Sequence, residues 1–434
     1  MKTITASRYV LSIGVAAALL AGCGVLRQAQ DDMQLPITGP GAMPQASALA
    51  ARSISSDYNV LYSFAGTLDG NYPSGTLIDV GGKLYGTTEY GGGCNYSPSC
   101  GTVYSLSLDG HEKVPYRFAS PPDGIYPLAG LIDVGGTLYG TTDGGGSNSC
   151  GGYPYYYSCG AVFSVTPSGT EKVLHSFSSP PDGALPAAPL IDVNGTLYGT
   201  TQYGGVHKNT CSGNCGTVFS ITPSGTEKVL YSFGAGSDGN VPAASLIEVK
   251  RKLYGTTSGG GAYGWGTVFG VTLNGREIIL HSFGGGTDGG NSEAGLIDVR
   301  GTFYGTTEVG GARTSGKSCN VVNKCGTVFS ITPPGTEKVL HRFVGNKNDG
   351  AGPVASLIDV KGTLYGTTEY GGAYGDGTVF SISTSGSEHL LHSFGSGTDG
   401  KLPATALIEM DGTLYGTTTG GGTYQHGTVF GLTP

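Results

Sequence analysis

Charge is scarce in this sequence. Only 12% of the 434 residues are Asp, Glu, Lys or Arg, about half the usual share, which excludes a charge-rich disordered chain. Basic residues are the scarcer sign, 23 against 31 acidic, for a net charge of −8. A broad nucleic-acid surface is therefore excluded. Helical periodicity is missing throughout. No Gly-x-Ser-x-Gly elbow, His-Glu-x-x-His pair or phosphate loop occurs. The Gly-Gly-Gly runs precede no helix, so they are not dinucleotide fingerprints, and no cofactor is expected. Glycine is abundant at 80 residues, but without the every-third period of collagen. Tyrosine, at 26 residues within a 38% hydrophobic content, supplies enough apolar surface for a large core.

Residues 1–22 have the form of an export signal. Lys2 and Arg8 precede an apolar stretch at 10–20, too short to span a bilayer as a helix. Leu20-Ala21-Gly22-Cys23 follows at once and resembles the bacterial lipobox, which implies lipidation at Cys23. Gly24 in place of Asp favours the outer membrane or cell surface. Residues 23–58, rich in Gln, Ala, Pro, Gly and Ser, are expected to form a lipid-anchored flexible tether.

Residues 59–434 repeat. Leu-Tyr-Gly-Thr-Thr, once with Phe for Leu, places its tyrosine at Tyr85, Tyr139, Tyr198, Tyr254, Tyr304, Tyr365 and Tyr415, at spacings of 50 to 61 residues. A Leu-Ile-Asp-Val type run precedes each copy and a Gly-Thr-Val-Phe type run follows. After six of the seven comes a turn and a Lys-Val-Leu-His-Ser-Phe type run. Short β-rich runs bounded by turn residues predict four strands per repeat. Seven such repeats predict an all-β, seven-bladed β-propeller of four-stranded antiparallel blades. The seventh repeat ends after its third strand, and residues 59–64 match the missing fourth, so the N-terminal strand is expected to close the ring. Small residues before each inner run, as in Pro-Ala-Ala-Pro-Leu-Ile (186–191), suit strands that converge on the axis.

The pattern DG-x-x-P…LI-x-x-x-G-x-LYGTT-x-x-GG…GTVF resembles the choice-of-anchor tandem-repeat family called GloVer, after the Gloeo/Verruco repeat, across residues 59–434. The resemblance implies a variable anchor, of which a lipobox is one kind. It carries no activity.

Variation concentrates between the second and third strands, where the connections hold 12, 17, 14, 8, 18, 8 and 8 residues. Variable loops on a fixed scaffold mark the working face. The eight cysteines after Cys23 lie in the four long loops as the pairs Cys94/Cys100, Cys150/Cys159, Cys211/Cys215 and Cys319/Cys325. Even number, pairing within loops and export predict four local disulfides. A two-cysteine loop offers too few ligands for a metal centre, and none is expected.

The seven Asp-Gly pairs and the recurrent inner-strand acids read as turn formers, because a sevenfold feature serves the blade. His175, His281, His341 and His392 alternate with Tyr and read as packing residues. Aromatics are the main candidates for binding: Tyr153, Tyr155, Tyr156 and Tyr157 in one disulfide loop, Tyr90, Tyr203 and Tyr370 after their Tyr-Gly-Thr-Thr segments, Tyr263, Tyr374 and Tyr424 in the short loops, and Trp265. His207, His426 and Arg313 are further loop candidates. These residues point to a monomeric envelope protein that binds a glycan or a protein partner. The competing reading is a glycoside hydrolase using a pair drawn from Glu89, Asp143, Glu308, Glu369 and Asp376. A polysaccharide lyase using Arg313, Lys317 or Lys324 is a further form of it.

Overall fold

The computed structural model describes residues 57–94, 100–148, 150, 158–178, 180–206, 215–311 and 325–434. Every regular element among them is a β-strand. Blade 3 shows how the repeat folds. Its inner strand Ile191–Val193 turns at Asn194-Gly195 into the second strand Thr196–Thr201, which pairs with the third, Thr217–Ile221, and that with the outer, Glu227–Ser232. The Asp192 carboxylate closes the first turn by accepting from the Gly195 N–H at 2.8 Å. Asp79, Asp133, Glu248, Asp298, Asp359 and Glu409 do the same in the other blades. The recurrent inner-strand acid is thus a turn former.

Leu-Tyr-Gly-Thr-Thr is explained residue by residue. The Leu (Phe303 once) is buried in every blade and the Tyr in six, Tyr365 being partly exposed. The glycine is required because a third-strand ring lies over it: a Cβ on Gly199 would sit 2.7 Å from Phe219. The first Thr donates to an inner-segment carbonyl of the next blade, as Thr87 does to Ala129 at 2.9 Å and Thr256 to Ala294 at 2.8 Å. The second ties the second strand to the third, as in Thr201 to Thr217 at 2.8 Å. One pentapeptide therefore fills the core, admits the neighbouring ring and joins blade to blade.

Seven antiparallel blades stand in a ring, a seven-bladed β-propeller. Each outer strand ends in a buried phenylalanine that meets the third-strand ring of the next blade edge-on, Phe177 with Phe219 at 5.1 Å and Phe233 with Phe269 at 4.9 Å. Blade 7 comprises Ile408–Met410, Thr413–Thr418 and Thr428–Thr433, and Asp57–Ser63 supplies its outer strand, with Tyr58 opposite Leu432 and Ser63 opposite Thr428. Phe64 then packs on Tyr104 of blade 1 at 5.0 Å, which completes the circle of rings. The closing strand begins at Asp57, two residues before the expected start. The small inner residues line an axial cavity of about 310 Å³, with Ala187, Ala243, Ala294, Ala355 and Ala404 around it.

Candidate loop-face site

Two kinds of connection share one face. The segment after each outer strand forms a short ladder with the loop after each second strand, as Gly183–Ala184 pairs with Tyr203–Gly204. The equivalent ladder in blade 1 sets Asn71 opposite Tyr90. The described bases of the variable loops are therefore tied to the segments that lead into the inner strands.

The residue following each second threonine (Glu89, Asp143, Gln202, Ser258, Glu308, Glu369, Thr419) occupies one level of this ladder. Asp143 donates its N–H to Tyr126 O at 2.9 Å, and Glu308 to Asn291 O at 3.1 Å. Backbone position is constant here and chemistry is not. Ser258 and Thr419 turn their hydroxyls back to Val241 O and Leu402 O. Glu89 and Asp143 interact across the first two blades. Burial, with the Glu89 charge adding to it, pushes the Asp143 carboxyl up to about 7. Burial raises Glu89 as well, opposed by a hydrogen bond from the Tyr90 phenol. Beside them Tyr90 stands edge-on between Tyr72 and Tyr126, each at 5.7 Å. The first blade interface thus holds two acids of elevated proton affinity against three phenol rings. Tyr72 and Tyr126 were not among the sequence candidates. They sit two residues before Ser74 and Leu128, which line the axial cavity.

The three short loops are built differently. Tyr263, Tyr374 and Tyr424 are 68%, 58% and 56% exposed, and Trp265 is 43% exposed. The residue before each third-strand glycine is Cys100, Cys159, Cys215 and Cys325 in the long loops, and Trp265, Asp376 and His426 in the short ones. Trp265 lies against backbone: a Cβ on Gly285 would meet its Nε1 at 2.8 Å, and one on Gly290 its Cβ at 3.0 Å. Its carbonyl accepts from the Asn291 N–H at 2.9 Å. Glycines in the adjoining turn therefore fix the indole while part of its face stays open. His426 packs likewise over Gly66. Asp376 pairs with Lys401 at 3.3 Å, which removes it from the free acids. Tyr203 and Tyr370 lie in the short ladders and are partly buried.

Disulfides join Cys94 to Cys100 and Cys150 to Cys159. Cys215 and Cys325 are disulfide-bonded too, while Cys211 and Cys319 lie outside the described residues. So do Cys23, Tyr153, Tyr155, Tyr156, Tyr157, His207, Arg313, Lys317 and Lys324.

The Asp-Gly aspartates bind the chain locally, as the turn reading holds. Asp182 accepts from the Ser178 N–H at 3.0 Å and the Gly183 N–H at 2.8 Å. They do more than that, because the alternating Tyr or His of the preceding outer strand also reaches them. Tyr116 donates to Asp123 at 2.7 Å, and His175 Nε2 lies 3.2 Å from Asp182. These histidines are polar partners of an aspartate as well as packing residues. Only spatial folding brings the two together with the outer-strand glutamate of the following blade.

A family model described as the Gloeobacter/Verrucomicrobia repeat matches residues 41–211, 152–321 and 205–430. No curated protein matches the chain. Among solved structures, a virginiamycin B lyase from Staphylococcus aureus superposes with a TM-score of 0.50 at 12% identity, covering 87% of this chain and 99% of that one. A gluconolactonase from Xanthomonas campestris gives a TM-score of 0.41 at 12% identity, covering 90% and 93%. A Trypanosoma rangeli sialidase gives 0.42 at 10% identity, covering 77% and 58%. At such identities the likeness to the lyase concerns the fold, and the other two carry no argument.

Proposed function

We propose, from the premise that the chain belongs to the Gloeobacter/Verrucomicrobia repeat family, that it is an exported, lipid-anchored propeller whose loop face binds glycan. The observation that carries this reading is the set of open aromatic faces at Tyr263, Trp265, Tyr374 and Tyr424. They stand on short loops whose positions are fixed by ladder pairing and, for Trp265, by glycine contacts. Rings held in place lose little entropy on binding, and Tyr and Trp contribute area that suits sugar faces. Disulfides in the neighbouring loops agree with an oxidising compartment, and the lipobox at Cys23 supplies the anchor.

A second reading rests on a different observation. Glu89 and Asp143 interact, and Asp143 keeps its proton toward neutrality. A protonated acid beside a second carboxylate is what glycoside hydrolysis uses. Screening the purified protein against soluble polysaccharides, with analysis of reducing ends, separates the readings. Retention without product supports the binding face. Reducing-end release that is lost in Glu89→Gln and Asp143→Asn supports the hydrolase. Retention of no polysaccharide, with capture of a protein instead, overturns the glycan reading.

A further inference from the structure

Each blade interface carries a partly buried polar group on the outer side of the ring. It combines the outer-strand Tyr or His of one blade, the Asp of the following Asp-Gly turn and, at six of the seven interfaces, the outer-strand glutamate of the next blade. Three interfaces differ from the rest in donor chemistry. His175 with Asp182 and Glu227, His281 with Asp288 and Glu337, and His341 with Asp349 and Glu388 each place an imidazole nitrogen and two carboxylate oxygens within 4.8 Å of one another. The geometry points to three divalent-cation sites at these interfaces, of the His-and-two-carboxylate type that takes zinc or a similar first-row ion.

Distance is the first support. First-row ions hold N and O ligands at about 2.0–2.2 Å, so two adjacent ligands on one ion stand about 3.0–3.4 Å apart. The His Nε2 to Asp oxygen distances are 3.2, 3.2 and 3.3 Å. The glutamates give the second. One carboxylate oxygen on each of Glu227, Glu337 and Glu388 is shut off from solvent and has no hydrogen-bond partner, as on Glu112, Glu171 and Glu277 at the tyrosine interfaces, so the glutamate is common to six interfaces and the imidazole is what sets these three apart. A buried carboxylate oxygen left in that state is costly unless a cation or proton meets it. Access is the third. A surface groove of about 690 Å³ is lined by Asp182 and Glu227 together with Ser178, Pro181 and Tyr231, so an ion reaches the first cluster from solvent.

The remaining interfaces each lack one of the three ligands. At three of them a tyrosine stands in place of the histidine, and Tyr116 and Tyr231 spend their phenol protons on Asp123 and Asp238 at 2.7 and 2.6 Å. At the last, His392 lies 3.0 Å from Asp399, but Tyr58 stacks on the imidazole at 3.8 Å where a glutamate would stand. That pair is one ligand short.

Cobalt(II) titrated into the chelator-treated full chain tests the proposal, read by calorimetry and by visible absorption. The expected result is three equivalents bound with d–d bands, and a higher melting temperature with cobalt than without. His175→Tyr, His281→Tyr and His341→Tyr install the side chain that other blades carry, so each should fold and remove one equivalent. His392→Tyr should remove none. Glu227→Gln, which leaves the imidazole in place, should abolish the first site as His175→Tyr does. A wild type that takes up no cobalt overturns the proposal, as does a triple His→Tyr protein that takes up as much as the wild type.

Discussion

Phe64→Ala is the sharpest perturbation of the closed ring. Phe64 follows the closing strand, is fully buried and packs among Leu77, Leu84, Tyr104 and Val429, so it touches blades 1 and 7 together. Truncating a buried Phe to Ala costs about 3–5 kcal/mol through lost transfer energy and the cavity left behind. For roughly 380 folded residues, the unfolding entropy at the midpoint is about 0.8 kcal/mol per kelvin, so the midpoint should fall by about 4–6 °C. Phe233→Ala is the matched control, since Phe233 fills the same position between blades 3 and 4, with Leu246, Leu253 and Phe269 around it. Calorimetric melting of the two variants beside the wild type decides the matter. If closure is as described, both midpoints fall by comparable amounts. A Phe64→Ala protein that melts with the wild type while Phe233→Ala falls would show an open ring and refute the reasoning.

Tyr104 stands where six blades carry phenylalanine, and its buried hydroxyl has no hydrogen-bond partner. Tyr104→Phe should therefore stabilise the protein by about 1–3 kcal/mol, and an unchanged or lower melting temperature would contradict this. Burial, reinforced by the Asp123 charge and opposed by the Tyr116 hydrogen bond, pushes the Glu171 carboxyl up to about 7. Between about 4.5 and about 7 the folded protein holds a proton that the unfolded chain has released, so this group's contribution to stability falls as pH rises through that window. Glu171→Gln should accordingly melt higher than the wild type at pH 8 and match it near pH 4.5. An equal difference at both pH values would exclude the effect.

Ring closure was legible because a terminal strand and an incomplete last repeat are complementary in one linear pattern. The inner-strand acids were legible for a related reason, since Asp192 and Gly195 are three residues apart and a local turn needs nothing else. What escaped the sequence depends on residues brought together from separate elements. Tyr116, Asp123 and Glu171 span two blades, and only the ring brings the glutamate to the other two. The same holds for Glu89 and Asp143, whose acidity was visible as composition while the effect of one charge on the other across two blades was not. Trp265 was visible as the single tryptophan, yet its seat on Gly285 and Gly290 depends on the backbone of an adjoining turn. Sevenfold repetition made architecture easy to read. It also masked the departures from repetition, such as His for Tyr beside an aspartate, where chemistry differs between blades.

Trp265 is the only tryptophan in the chain, it stands on the loop face, and 43% of its surface is open. Its emission therefore reports that face alone. Titrating a retained polysaccharide into the protein, with acrylamide quenching before and after saturation, tests the binding face directly. A saturable change in Trp265 emission and reduced quenching are expected, both lost when Tyr263, Tyr374 and Tyr424 are replaced by alanine. Polysaccharide binding that leaves Trp265 emission and quenching unchanged would place the site elsewhere and contradict this expectation.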